Sequence, residues 1–198
     1  MQISNSEMMA QRAFRKLLQA MSRPGRVYVL PPVPEVGRKP WGAMLTLLES
    51  LIDHEVRFAV IGQNGSGELQ SQIAERTRCR TADVGEADFL IVADGDSAGE
   101  ILRAKRGTHP YPDTSATVVF RVQSLLFPEN RQPTMALKGP GIREEILLGP
   151  IEGLGPREPE HLKEINSDFP LGVDAVFIDD GGRILCIPRS THIRIMEH

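Results

Sequence analysis

The stretch EVRFAVIGQNGSGELQSQIAERTR at residues 55–78, followed by the apolar run DFLIVAD at residues 88–94, decides the fold class. It predicts a strand, a glycine-rich turn, a helix and a second strand in direct succession. Another helix is predicted from residue 96 to about residue 105. Strands that are apolar on both faces are typical of a sheet covered by helices. The alternation therefore favours an α/β fold over a β-sandwich.

Two further helices and a short strand are predicted upstream of this unit. Apolar residues recur at helical spacing over residues 6–21, and Ser4 with Glu7 fits a capping box. Residues 26–30 form an apolar run typical of a short strand. A second helix is predicted to begin at Pro40, because proline suits the first helical position. The apolar face of this helix contains Trp41, Met44, Leu45, Leu48, Leu51 and Ile52.

The C-terminal half is predicted to be richer in strands. Strands are expected within residues 115–125, 134–142 and 144–150, a helix over residues 158–168, and a hairpin around DDGG at residues 179–182. The candidate linkers are too short to establish a domain boundary. We therefore predict one α/β domain over residues 1–198, with three layers in which a mixed sheet is flanked by helices.

Composition limits the classes of function. Hydrophobic residues make up 40% and charged residues 25% of the 198, which is typical of a globular protein. The net charge is −3, with 23 basic residues scattered among 26 acidic ones, so nucleic acid is not a predicted partner. No apolar run approaches the roughly 20 residues of a membrane helix, and the N-terminus lacks a signal-peptide pattern. We expect a cytoplasmic protein without membrane contact.

The cysteines and histidines form no metal-binding pattern. Cys79 and Cys186 each stand alone, which predicts two reduced thiols rather than a disulfide framework or a zinc site. The histidines are dispersed, without HxH or HExxH spacing. No metal site is predicted.

Three glycine-rich or acidic motifs are candidate ligand sites. QNGSGE at residues 63–68 lacks the third glycine of a dinucleotide fingerprint, so a plain turn with a helix cap is favoured. The carboxylates of Asp94 and Asp96 could hold a metal or a ribose hydroxyl at the end of a strand, although a helix cap at Asp96 is the simpler explanation. Gly139 and Gly141 in KGPGI allow either close approach to a ligand or a tight turn, and we favour the turn.

The segment FPLGVDAVFIDDGGRILCIPRSTHIRI at residues 169–195 carries the densest chemistry. Arg189, Ser190, Thr191 and His192 supply a guanidinium, two hydroxyls and an imidazole, which could bind phosphate or transfer a proton. Ser190 has no GxSxG context, so a polar strand edge that braces the fold or an interface is at least as good an explanation. Asp174 and Asp168 are candidate partners of Arg189.

The sequence also resembles a known family. FRKLLQAMSRPGR at residues 14–26, LKGPGI and REEILL within residues 137–148, and FPLGVD and ILCIPRSTHI within residues 169–193 occur in this order in the PhnH family. PhnH is a subunit of the bacterial carbon-phosphorus (C-P) lyase system, which degrades phosphonates. The resemblance covers nearly the whole chain.

The resemblance has implications for fold and cofactor. It implies a shortened relative of the pyridoxal-phosphate (PLP)-dependent transferase fold that has no cofactor. An aldimine requires a lysine, and none of the five lysines lies in a serine-x-x-lysine context. Lys138, beside KGPG, is the most plausible of them. No cofactor is predicted.

The resemblance also implies partners and a role. PhnH-like proteins work in a core complex with PhnG, PhnI and PhnJ. With PhnL, they support displacement of adenine from ATP by an alkylphosphonate, which gives a ribose 1-phosphonate 5-triphosphate. PhnJ, a radical-SAM subunit, later cleaves the carbon-phosphorus bond. This chain is therefore expected to be a component of a transferase and lyase system that is non-catalytic by itself.

A structural role without an active site is the favoured hypothesis, with a homodimer as the isolated state. Residues 189–192 would then brace an interface or the fold. Phe14, Arg15, Leu18 and Met21 on the first helix are further candidate interface residues. Two alternatives stay open: direct binding of ATP or phosphonate by Arg189 and His192 with a share in the transfer step, and a residual PLP-dependent enzyme.

Overall fold

A computed structural model describes residues 5–31, 41–63, 65–127 and 132–196, with side chains from residue 8 onward. The helices are α1 (Asn5–Ser22), α2 (Gly42–Glu49), α3 (Ser66–Thr77) and α4 (Glu158–Ile165), with 3-10 helices at Glu100–Arg103 and Pro112–Thr114. The strands are β1 (Tyr28–Val29), β2 (Arg57–Ile61), β3 (Arg80–Thr81), β4 (Phe89–Val92), β5 (Thr117–Val122), β6 (Met135–Lys138), β7 (Ile146–Leu148), β8 (Asp174–Asp179), β9 (Arg183–Ile187) and β10 (His192–Ile195).

The larger sheet is mixed, as predicted. Its strand order is β1-β9-β8-β5-β4-β2-β3. Neighbouring strands from β3 to β8 are parallel, whereas β9 pairs antiparallel with β8 and with β1. The chain runs from β2 outward to β3 and then returns to β4 on the other side of β2. The strand order therefore reverses between β2 and β4, the point at which open α/β sheets usually bind ligands.

Helices cover one face of this sheet. Ala13, Leu17 and Ala20 recur at helical spacing and bury one stripe of α1 against the sheet, together with apolar residues of α2 and α3. On the sheet side the same cluster contains Val119, Val176 and other buried residues of the central strands. These strands carry apolar side chains on both faces, which explains their continuous apolar sequences.

The opposite face differs from the prediction of flanking helices. Phe120 and Phe177 stack here with ring centroids 5.2 Å apart. They are covered by α4 and by a second, smaller antiparallel sheet of order β10-β6-β7. The predicted strands within residues 134–150 therefore exist, but they belong to this small sheet. After β6 and β7, the chain returns to this sheet from β9 through residues 188–191, which lead into β10.

Several predicted elements are shorter than expected. The helix predicted over residues 96–105 is only the 3-10 helix Glu100–Arg103. Asp96 Oδ1 accepts a hydrogen bond from Ala98 N at 2.8 Å, and Ala98 and Gly99 have positive φ, so an α-helix cannot begin there. The first strand is only β1. Ser4 and Pro40 lie outside the described residues, so the capping box and the start of the second helix stay predictions.

Both thiols are buried. Cys79 Sγ donates to the carbonyl oxygen of Val56 at 2.8 Å, and Cys186 lies inside β9. Burial raises the pKa of each thiol above its ordinary value. The two cysteines are free rather than joined by a disulfide. In the part of the chain that the structure describes, no helix combines the length and apolar character needed to cross a bilayer.

Candidate functional site

The segment of residues 188–192 lies at the edge of the large sheet where the parallel strands begin. Because β9 is antiparallel to β8, its last residue, Ile187, pairs with Ala175 near the start of β8. The 3-10 helix Pro112–Thr114 precedes β5 at the same edge. We call this side the amino edge, and the opposite side, where the parallel strands end, the carboxyl edge.

Arg189 is the centre of the amino edge. Its Nη2 donates to Asp174 Oδ2 at 2.7 Å, and its backbone N donates to Asp174 Oδ1 at 2.9 Å. Its Nη1 donates to the carbonyl oxygen of Pro112. The predicted pairing with Asp174 is confirmed, and no ion pair joins Asp168 to Arg189 among the described residues. The guanidinium thus joins the starts of two strands to the end of a third.

The neighbours of Arg189 do not form a charge-relay arrangement. Thr191 N donates to Pro188 O at 2.8 Å, which closes a turn. His192 is the exposed first residue of β10 and pairs in register with Lys138. Among the described residues no hydrogen bond joins Ser190 to His192. A nucleophilic serine needs such a base, so the geometry here is that of a turn between two sheets.

The glycines of KGPG hold three of the sequence motifs together. Ile142 N donates to Gly139 O at 3.1 Å, which confirms the turn that we favoured. A Cβ at Gly139 would lie 2.8 Å from Ser190 O, and one at Gly141 would collide with the carbonyl oxygen of Ser22. Both glycines also have positive φ. The motifs SRPG, KGPG and PRSTH therefore pack directly on one another.

A cavity of about 250 Å³ adjoins this cluster. It is lined by Lys163, Asn166, Ser167, Phe169, Arg189, Ser190, Thr191, His192 and Ile193. The first four come from the end of α4 and the loop after it, and no sequence spacing linked them to residues 189–192. Asn166 is committed to structure, because its side chain accepts from Val173 N at 2.7 Å and donates to Val173 O at 3.1 Å.

The carboxylates of the acidic motif at the carboxyl edge accept hydrogen bonds from backbone N–H groups. Asp94 Oδ2 accepts from Gln63 N at 3.2 Å, and Asp96 Oδ1 closes the turn described above instead of capping an α-helix. A Cβ at Gly95 would collide with Gly153 O, so residues 153–155 cover this turn closely. Within the described ranges no group of three or more His, Cys, Asp or Glu side chains could hold a metal ion.

A buried polar cluster near this edge was not predicted. Glu158 Oε1 accepts from Ser97 N at 2.8 Å and from Ser97 Oγ at 2.7 Å, and His161 Nδ1 lies 3.6 Å away. Burial raises the pKa of Glu158 despite these hydrogen bonds. Glu158 Oε2 and His161 Nδ1 are buried without partners in the described part of the chain. The E-x-x-H spacing on a helix was the available signal.

The candidate interface residues of α1 differ in exposure. Phe14 and Leu18 are 41% and 52% exposed, which is high for large apolar side chains. Arg15 is also exposed, whereas Met21 is half-buried and packs against the core. Phe14 and Leu18 are one helical turn apart and therefore share a face.

Fold and site together define an α/β protein whose distinctive motifs pack against one another at the amino edge of its sheet. The family model described as "Bacterial phosphonate metabolism protein (PhnH)" matches residues 2–194. The chain belongs to the PhnH family, and the resemblance inferred from its motifs is confirmed.

Two relatives match most of the chain. One is the putative C-P lyase subunit protein HtxG of Stutzerimonas stutzeri, which is 35% identical over 185 residues, 93% of this chain and 86% of that protein. The other is the alpha-D-ribose 1-methylphosphonate 5-triphosphate synthase subunit PhnH of Rhizobium meliloti (strain 1021). It is 30% identical over 190 residues, 93% of this chain and 90% of that protein.

Proposed function

We propose that this chain is a structural and assembly subunit of a C-P lyase core complex in phosphonate catabolism. In that role it supports formation of alpha-D-ribose 1-methylphosphonate 5-triphosphate from ATP and methylphosphonate, without an active site of its own. Its membership of the PhnH family and the names of the two relatives support this proposal.

The observation that carries the structural role is the engagement of Arg189. A guanidinium that clamps a phosphate must offer two parallel N–H donors to the ligand. Here Nε and Nη2 face Asp174, and Nη1 is bonded to Pro112 O. The residue also lies at the amino edge, whereas α/β sheets usually bind substrates at the carboxyl edge. These contacts favour bracing over catalysis.

The proposal includes partners and an oligomeric state. We propose PhnG, PhnI, PhnJ and PhnL as partner subunits and a homodimer for the isolated chain. We propose that the exposed side chains of α1, those of Phe14, Arg15 and Leu18, contact a partner. Exposed apolar side chains beside an arginine are typical of interfaces. The proposal also includes a single domain over residues 1–198, a cytoplasmic location and kinship with the PLP-dependent transferase fold.

Co-expression with the partner subunits tests the structural role. The chain would be tagged and produced with PhnG, PhnI, PhnJ and PhnL from one source, as wild type, Arg189→Ala, Arg189→Lys, His192→Ala and the control Arg194→Ala. Arg194 pairs with Glu145 on the exposed side of the small sheet. Assembly would be measured by co-purification, and transfer by adenine release from ATP with methylphosphonate.

We expect Arg189→Ala to reduce assembly, because the brace is lost, and His192→Ala to leave both assembly and adenine release intact. Arg189→Lys retains the charge but cannot reproduce the fork, so it should give an intermediate loss of assembly. Intact assembly with lost adenine release in Arg189→Lys or His192→Ala would instead place these residues in an active site, as the direct-binding alternative requires.

The PLP-dependent alternative has less physical support. Lys138 is exposed at the end of β6, and the surface that it lines also carries Glu144 and Glu145. Arg143 lines the same surface and Glu145 is paired with Arg194, so the charges there do not decide for or against the cofactor. A cofactor site normally encloses most of its ligand, whereas Lys138 is exposed. Desalted protein should therefore remain colourless after incubation with pyridoxal phosphate, whereas a yellow, borohydride-reducible adduct at Lys138 would revive this hypothesis.

A further inference from the structure

The cavity at the end of α4 has a distinctive set of lining groups. Three basic side chains, those of Lys163, Arg189 and His192, surround it together with the hydroxyl residues Ser167, Ser190 and Thr191. None of its lining residues is acidic. Asp113 and Asp174 line a neighbouring cavity of about 290 Å³, which shares Phe169, Arg189 and Ser190 with this one. Donors without competing carboxylates are the chemistry that recognises an oxyanion.

Thr191 supplies a second, independent observation. The residue is only 3% exposed, and its Oγ1 is buried with no hydrogen-bond partner among the described residues. Buried hydroxyl groups are nearly always paired in native proteins, because an unpaired one loses its hydration without compensation. A ligand oxygen in the adjoining cavity would accept the hydrogen bond that the protein itself leaves unmade.

Lys163 supplies the net positive charge of the cavity. The guanidinium of Arg189 is offset by Asp174, so it orients the segment and contributes little net charge. Lys163 Nζ, in contrast, has no carboxylate within salt-bridge distance in residues 5–31, 41–63, 65–127 and 132–196. An ammonium beside hydroxyl donors makes a compact site for a tetrahedral oxyanion.

Size and shape narrow the class of ligand. A cavity of about 250 Å³ is smaller than the roughly 300–1,000 Å³ typical of sites for larger organic ligands. It therefore suits phosphate or a short alkylphosphonate rather than a whole nucleotide. Phe169, which is 63% exposed beside the cavity, offers an apolar surface that could cover an alkyl substituent.

We propose that this cavity binds a small phosphorus oxyanion, with Lys163 and the Thr191 hydroxyl as its principal contacts and Phe169 against the substituent. The site does not require the chain to take part in the transfer step, so it stands apart from the assembly role. Each CH₂ group buried against Phe169 should strengthen binding about fourfold. Ethylphosphonate should therefore bind more tightly than methylphosphonate, and methylphosphonate more tightly than inorganic phosphate.

Titration of the full chain followed by amide NMR tests the site with ethylphosphonate, methylphosphonate, inorganic phosphate and ATP as probes. Wild type would be compared with Lys163→Ala, Thr191→Val and the control Lys138→Ala. Thr191→Val keeps the shape of the side chain and removes an unpaired hydroxyl, so it should not destabilise the fold. Lys138 lies on a different surface and tests for nonspecific attraction to lysine.

We expect saturable shifts centred on Ser167, Thr191 and His192. Lys163→Ala and Thr191→Val should each weaken methylphosphonate binding about tenfold, because each removes a hydrogen bond to a charged group. Lys138→Ala should bind as wild type does, and ATP should bind no more tightly than phosphate. Absence of saturable shifts with all four probes, or unchanged affinity in both Lys163→Ala and Thr191→Val, would overturn the proposal. Reduced affinity in Lys138→Ala alone would also overturn it.

Discussion

The two edges of the large sheet differ in how closely the chain covers them. At the carboxyl edge, the turn of residues 94–96 is closed by backbone contacts from residues 153–155, and the polar groups behind it are buried. At the amino edge, Arg189 and Asp174 form a half-buried brace beside an open cavity. Most α/β sheets place their ligand crevice at the carboxyl edge. In this protein the cavity beside Arg189 lies at the amino edge instead.

The difference has a physical origin in the chain connections. The long segment between β5 and β8 brings the loop of residues 151–157 over the carboxyl edge and then runs along α4 toward the amino edge. The same connection therefore covers the carboxyl edge with residues 151–157 and lines the cavity at the amino edge with Lys163, Asn166, Ser167 and Phe169. A fold of common topology can move its accessible surface by rerouting one connection.

The largest expected effect tests how tightly the carboxyl edge is closed. Gly95→Ala places a methyl group inside contact distance of Gly153 O at a positive φ, so we expect a loss of more than about 3 kcal/mol in the free energy of unfolding. Gly67→Ala is the control, because its Cβ would meet nothing within 4 Å in α3 and should stabilise the protein by about 0.5–1 kcal/mol. Urea unfolding measures both. Wild-type stability of Gly95→Ala would mean that this edge can open.

The next effect measures the brace at the amino edge. Asp174→Ala leaves the guanidinium and the backbone N–H of Arg189 without their acceptor. Because the paired side chains are 16% and 19% exposed, we expect a loss of about 2 kcal/mol, less than for a fully buried pair. Glu145→Ala, which removes an exposed pair with Arg194, should cost under about 1 kcal/mol. Equal thermal shifts in the two variants would mean that the brace contributes no more than a surface pair.

A smaller effect should depend on pH at the carboxyl edge. Burial raises the pKa of Glu158 above its ordinary value of 4.5, and Asp96 adds to the shift while His161 opposes it. Between the two pKa values only the folded chain keeps the proton, so stability falls as pH rises through this window. Glu158→Gln can still accept from Ser97 and remains neutral.

The thermal midpoint of Glu158→Gln relative to wild type should therefore increase from pH 4 to pH 7, and Glu160→Gln, at an exposed position of the same helix, serves as the control. A difference that shrinks over this pH range would contradict the assigned direction of the Glu158 pKa.

The smallest expected effect tests whether the carboxylate of Asp96 at the carboxyl edge is needed for activity. Asp96→Asn preserves the side-chain oxygen that accepts from Ala98 N, so stability should change by less than about 0.5 kcal/mol. Adenine release by the assembled complex should also be unaffected. If that activity were lost with assembly intact, the carboxylate at the carboxyl edge would be chemically active, and the contrast between the edges would fail.

The sequence predicted local structure better than it predicted sites. The α/β class, β2, α3, β4 and the DDGG hairpin followed from periodicity and turn residues, which depend on nearby sequence. The small sheet did not follow, because an apolar run does not reveal which sheet it joins. The pairing of Asp174 with Arg189 was suggested by complementary charge. The participation of Lys163 and Thr191 in one cavity depends on how α4 packs beside β10, which no short-range pattern encodes.

The two buried thiols can report separately on local and global unfolding of the protein. Cys186 is enclosed in β9 between β8 and β1, so a thiol reagent can reach it only when the sheet comes apart. Cys79 immediately precedes β3, an edge strand of two residues, and a limited local opening would expose it. Alkylation followed by mass spectrometry would therefore time local fraying at one residue and global unfolding at the other, in a single sample without added probes.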